Sequence, residues 1–231
     1  MSILLVPGYM ADETLWDDVT GGLAPFAPVV HADLRHDATI EAMAARALAA
    51  APESFILVGF SMGGYVAREM VRQAPHRVRA LVLAATSTRP DSPALRQSRG
   101  RVGQASASVS FSGLSRVAIA TSLHPKEANN EAMIERVRAM GVRLGGEVFR
   151  RQSMLERAGD LDRLGEIRCP TLVIAAGQDR LRSREEADEL HAGIPGAAFV
   201  LIEDSGHMLP IEAPQALLAA IVPWLERVTT G

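Results

Sequence analysis

Three side chains in this sequence are of the types that activate one another for acyl transfer: Ser61, Asp179 and His207. A serine hydroxyl is a poor nucleophile at neutral pH unless a base takes its proton as it attacks. That base is commonly a histidine, oriented by a carboxylate that fixes its tautomer and stabilises the imidazolium. Ser61 lies in Gly59-Phe60-Ser61-Met62-Gly63-Gly64, between the apolar run Phe55-Ile56-Leu57-Val58 and the helical stretch Tyr65 to Arg72. Strand, G-x-S-x-G, helix is the context of a nucleophile elbow, a strained turn that raises a hydroxyl above a sheet edge. Gly59 and Gly63 leave room for such a turn. The Met62 peptide N–H would open the helix, at the end where negative charge is favoured. Taken alone, the pentapeptide fits an incidental serine in a glycine-lined turn equally well.

The elements that must position these groups alternate. Short apolar strands are expected at 3–6, 28–32, 55–58, 77–85, 171–175 and 197–202. Helices are expected after Asp12, from Thr39 to about Ala50, through the elbow, from Arg184 to His191 and from Ala213 to Leu225. Such alternation predicts an α/β fold, a mostly parallel sheet flanked by helices on both faces. Ser61, Asp179 and His207 each fall just beyond the carboxyl end of a strand, and in a parallel sheet those ends share one edge. Residues 118 and 28 positions apart thereby converge. Each also has a plainer reading. Asp179 suits a turn, His207 suits a loop, and Asp204 is an acid nearer to His207 in the chain. Their joint placement, in the order Ser, Asp, His, favours the constellation.

On these residues the chain resembles the α/β-hydrolase fold superfamily, and its small bacterial carboxylesterases in particular. The resemblance rests on Leu4-Leu5-Val6-Pro7-Gly8-Tyr9, the Gly59–Gly64 stretch, Ala176-Gly177-Gln178-Asp179 and Gly206-His207, and spans residues 3 to about 225. It implies Ser61 as nucleophile, Asp179 as acid and His207 as base. It also implies an oxyanion hole formed by the backbone N–H groups of Tyr9 and Met62. Two departures stand out: Pro7-Gly8 replaces the His-Gly of many relatives, and the usual first two strands have no room before Ile3, so the sheet is N-terminally trimmed.

Residues 89–163 differ in character from the rest. They lack a convincing strand, become helical around 130–144, and carry thirteen basic against eight acidic residues. We expect a helical lid over a core made of 1–88 and 164–231. His124-Pro125 in this lid is placed to line a pocket, and most of its arginines are expected to be simply solvated.

The whole chain bounds the rest. A length of 231 residues, 48% hydrophobic and 22% charged, suits one large globular unit. A net charge of −3 argues against nucleic-acid binding. The one cysteine, Cys169, reads as a buried structural thiol, and no export signal or membrane-spanning run is evident, which points to a cytoplasmic protein. No metal-ligand spacing or phosphate-binding loop suggests a cofactor.

The expected reaction is hydrolysis of a small or medium carboxylic ester through an acyl-enzyme on Ser61. The lid's positive balance would suit an anionic partner such as an acyl carrier protein or a coenzyme A thioester. Two alternatives stay open at this level: lyase chemistry on the same triad, and a ligand-binding protein of the same fold without turnover.

Overall fold

A computed structural model of the protein describes residues 1–105 and 111–229. Six strands form one sheet: β1 (Ser2–Val6), β2 (Val29–His31), β3 (Phe55–Phe60), β4 (Val78–Ala84), β5 (Thr171–Ala176) and β6 (Ala198–Ile202). Their order is β2-β1-β3-β4-β5-β6, and every neighbouring pair is parallel. The expected strands are all present within a residue or two of their anticipated ends.

Period-two alternation sends consecutive residues of each strand to opposite faces. Ile3, Ile56, Val58 and Val82 pack on one face with Trp16, Leu217 and Ile221. These last three come from the turn before α1 (Asp17–Leu23) and from α8 (Pro214–Thr229). Leu4, Leu57, Leu81 and Val173 pack on the other face, against α2 (Ile40–Ala50), α3 (Met62–Gln73) and α7 (Arg184–Gly193). Because both faces are covered, β3 and β5 are buried at every position and read in the sequence as continuous apolar runs.

The helix starts follow from capping chemistry. The Thr39 hydroxyl accepts from the Ala42 amide at 3.1 Å to open α2. Ser183 and Glu186 form a reciprocal capping box at the start of α7.

Between β4 and β5 no strand occurs among the described residues. This segment holds α4 (Pro93–Ala105), α5 (Arg116–Ser122) and α6 (Glu131–Ser153). The helix expected around 130–144 is longer, continuing through a kink at Gly145 (φ 80°, ψ 171°) that only glycine adopts easily. Beyond the kink, Val148 and Phe149 pack on Met10. The sequence does not single out α4 or α5, since their Ser-, Gly- and Arg-rich stretches carry little apolar periodicity.

A buried ion network ties this segment to the core. Arg68, fully buried on α3, donates from Nε and Nη2 to the two oxygens of Asp160 at 2.8 and 2.9 Å. Thr88 donates to the same carboxylate at 2.7 Å, and Arg72 also pairs with it. Burial pushes the Asp160 carboxyl up, but the Arg68 guanidinium and the hydrogen bonds from Arg68, Thr88 and Arg72 outweigh it, and its pKa lies below the ordinary value. Many exposed arginines of the segment pair with nearby carboxylates, as in Arg116–Glu131 and Arg143–Asp12.

Candidate active site

The turn from β3 into α3 places Ser61 at φ 53° and ψ −115°, outside the range that L-residues prefer. Its neighbours enforce this. The Ser61 amide donates to the Ala84 carbonyl at 3.0 Å, and the Thr86 hydroxyl donates to the Ser61 carbonyl at 2.7 Å. A Cβ on Gly59 would stand 2.7 Å from the Gly63 carbonyl oxygen, and one on Gly63 would stand 2.3 Å from the Val6 carbonyl oxygen. Both glycines therefore answer to close backbone approach, as the motif requires.

The loops after β5 and β6 bring the other two members in. Gly177 and Gln178 donate their amides to the carbonyls of Ile202 and Ser205 at 2.8 and 2.9 Å, stitching the two loops together. Asp179 and His207 meet there, with His207 Nδ1 2.7 Å from Asp179 Oδ2. The other Asp179 oxygen accepts from the amides of Leu181 and Arg182 at 2.7 and 2.9 Å. A carboxylate only accepts, so Nδ1 is the protonated ring nitrogen and Nε2 is left as the acceptor. His207 Nε2 lies 2.8 Å from Ser61 Oγ. Ser61, Asp179 and His207 thus form one continuous hydrogen-bonded chain, almost closed to solvent. Such a chain can carry a proton from hydroxyl to imidazole while the buried carboxylate stabilises the resulting cation. Asp204 takes no part: its side chain is 91% exposed and sits 3.9 Å from Lys126.

Tyr9 lies in the loop after β1 and lines the same cavity as Ser61, and Met62 follows Ser61 at the first position of α3. No acceptor among the described residues takes either amide N–H. The Tyr9 loop is clamped by the end of α6. The Met10 amide, at φ 53°, donates to Gln152 Oε1 at 2.9 Å, and the Tyr9 hydroxyl lies 2.7 Å from the Ser153 hydroxyl. Sequence reasoning missed Thr86, Gln152 and Ser153, because nothing in their local pattern marks them. It also placed His124 in a pocket wall, whereas His124 caps the turn before α6 by accepting from the Lys126 amide at 3.0 Å. Cys169 is half-buried, and burial raises its thiol pKa.

A cavity of about 440 Å³ opens onto Ser61 and His207. Leu114, Ala118, Val137 and Met140, from α5, α6 and the loop before α5, give it an apolar wall, and Met208 closes another side. Among the described residues no group of His, Cys, Asp and Glu could hold a metal ion. No described helix is long and apolar enough to cross a membrane.

Residues 3–221 match the model of the alpha/beta hydrolase family. The chain belongs to that family. A thermophilic esterase from Thermogutta terrifontis, solved with malate bound, is 31% identical to it. Its structure superposes with a TM-score of 0.87 over 99% of this chain and 90% of that one. Among curated proteins, the pimeloyl-(acyl-carrier protein) methyl ester esterase of Neisseria meningitidis is 26% identical, over 98% of this chain and 94% of its own length. The corresponding esterase of Klebsiella pneumoniae is 33% identical over only 37% of this chain and 36% of that enzyme. This member of the alpha/beta hydrolase family therefore has esterases among its relatives. The match to the family also bears out the fold expected from the sequence.

Proposed function

We propose that the protein is a serine hydrolase that cleaves small or medium carboxylic esters through an acyl-enzyme on Ser61. The observation that carries this reading is the unbroken chain Asp179–His207–Ser61, at 2.7 and 2.8 Å, at the wall of a largely apolar cavity. Ser61 attacks the ester carbonyl while His207 Nε2 accepts its proton, and His207 returns that proton to the departing alcohol. The amides of Tyr9 and Met62 hold the oxyanion, and each such donor contributes about 3 kcal/mol to the transition state. Water activated by His207 then releases the acid. Residues 89–163 act as the cap that encloses the acyl group.

Turnover of p-nitrophenyl esters from acetate to decanoate, with Ser61→Ala as control, tests the reading. Hydrolysis that depends on Ser61 supports it, and the preferred chain length measures the cavity. A folded protein inert on every ester sinks it in favour of lyase chemistry or binding without turnover.

The names of the curated relatives favour a second reading, in which the ester hangs on an acyl carrier protein. The described arginines of the cap that could face such a partner mostly have carboxylate neighbours, so the free ester comes first. Activity on a carrier-bound ester that falls steeply with added salt would support the second reading.

A further inference from the structure

The lining of the cavity beside Ser61 also carries charge. Arg99, Arg157, Arg180 and Arg182 all line it. Arg157 differs from every other arginine of the 89–163 segment in being 1% exposed. Its one ionic neighbour among the described residues is Asp91, whose oxygens lie 3.3 and 3.5 Å from Nη1. Asp91 also pairs with Arg99, so one carboxylate faces two guanidinium groups. Nε and Nη2 of Arg157 are buried and have no partner among the described residues. Buried charged donors without acceptors are costly, and each calls for an explanation.

These two nitrogens form the side edge of the guanidinium, whose parallel N–H bonds match the two oxygens of a carboxylate. The chain itself shows what that edge receives when it is filled. The same Nε and Nη2 edge of Arg68 takes both oxygens of Asp160 at 2.8 and 2.9 Å. On Arg157 that edge is enclosed and has no partner among the described residues, and the side chain is one of those that line the cavity.

The local charge balance points the same way. Among the described residues the four arginines lining the cavity have two ionic neighbours, Asp91 and Glu186, and Arg180 instead donates to the carbonyls of Ala120 and Leu123. Arg182 adds another buried Nε without a hydrogen-bond partner among the described residues.

We infer that the substrate carries a free carboxylate at the end away from its scissile ester, held side-on by Arg157, so that the preferred substrates are half-esters of small dicarboxylic acids. This rests on the ester-hydrolase reading for the chemistry at Ser61 and adds the feature that selects the substrate. Arg99 and Arg182 supply positive potential around the bound anion without needing to touch it.

The test compares monomethyl succinate, glutarate and adipate with neutral isosteres in which a methyl ketone replaces the carboxylate. At the best chain length, kcat/KM for the half-ester should exceed that for the ketone at least tenfold. Arg157→Gln should abolish that ratio, and Arg157→Lys, which keeps the charge without the fork, should retain part of it. Should Arg157→Gln fail to fold, Arg99→Gln at the more exposed wall should lower the ratio. A wild-type ratio at or below one at every length overturns the inference while leaving the hydrolase reading intact. A ratio unchanged in folded Arg157→Gln overturns it as well, and marks Arg157 as a structural partner of Asp91 only. Calorimetric titration with glutarate separates the two readings. If the folded protein turns over no ester yet binds glutarate, and Arg157→Gln loses that binding, the carboxylate site stands and the hydrolase reading falls.

Discussion

Ser61 keeps a positive φ because bonds made by its neighbours outweigh a local strain of about 1–3 kcal/mol. Thr86 contributes by donating to the Ser61 carbonyl from a buried side chain. Thr86→Val keeps the shape and removes that donor. It should cost about 1–3 kcal/mol in stability, read by urea unfolding, with a fall in kcat on any ester the wild type accepts. The triad members carry larger expectations. Ser61→Ala should lower kcat by about 10⁴-fold or more, and Asp179→Asn by about 10⁴-fold, because the amide would favour the wrong histidine tautomer. Steady-state kinetics on a p-nitrophenyl ester checks both. Equal activity in Asp179→Asn and wild type would move the role of acid elsewhere.

At the scale of elements, two junctions fix the site. The first is the approach of α3 to the end of β1, where Gly63 meets the Val6 carbonyl. That oxygen belongs to backbone and cannot swing away, so Gly63→Ala should destabilise by about 3 kcal/mol or more, or prevent folding. Thermal unfolding followed by circular dichroism measures it. The second junction is the clamp of Gln152 on the Met10 amide. Gln152→Leu leaves that N–H without its acceptor and frees the loop that carries Tyr9, whose amide we propose for the oxyanion hole. The expected result is a fall in kcat of about 10- to 100-fold with a smaller change in KM, as befits a positioning residue. A rise in KM alone would assign Gln152 to substrate binding instead.

For the whole molecule, Asp160 joins the elbow helix to the returning end of the 89–163 segment. Asp160→Asn leaves the fully buried Arg68 without its counter-charge and should cost about 3–5 kcal/mol at neutral pH. The folded-state pKa of Asp160 is depressed, so its contribution is present above the unfolded value near 3.8 and is lost as pH falls below it. Denaturant unfolding of wild type and variant should therefore show a gap at pH 6 that narrows towards pH 3. A gap independent of pH would mean that Asp160 acts by packing rather than by charge.

What the sequence determined by itself was the succession of strands along the chain with the helices outside residues 89–163, the elbow and the three residues that meet at it. Strands 55–60 and 171–176 are apolar throughout because both faces are covered, and the strand-end positions of Ser61, Asp179 and His207 follow from a parallel sheet. Local pattern carries that information because helix and strand periods repeat over a few residues. Long-range partners leave no such trace. Thr86, Gln152 and Arg157 look like any polar residues at the end of a strand or within an arginine-rich stretch. Their roles arise from contacts with Ser61, Met10 and Asp91, which lie 25, 142 and 66 positions away. The burial of one arginine among thirteen basic residues of the segment was likewise a matter of tertiary packing. Charge can be counted along a chain, but whether a guanidinium faces water or lines a cavity is decided by what folds over it.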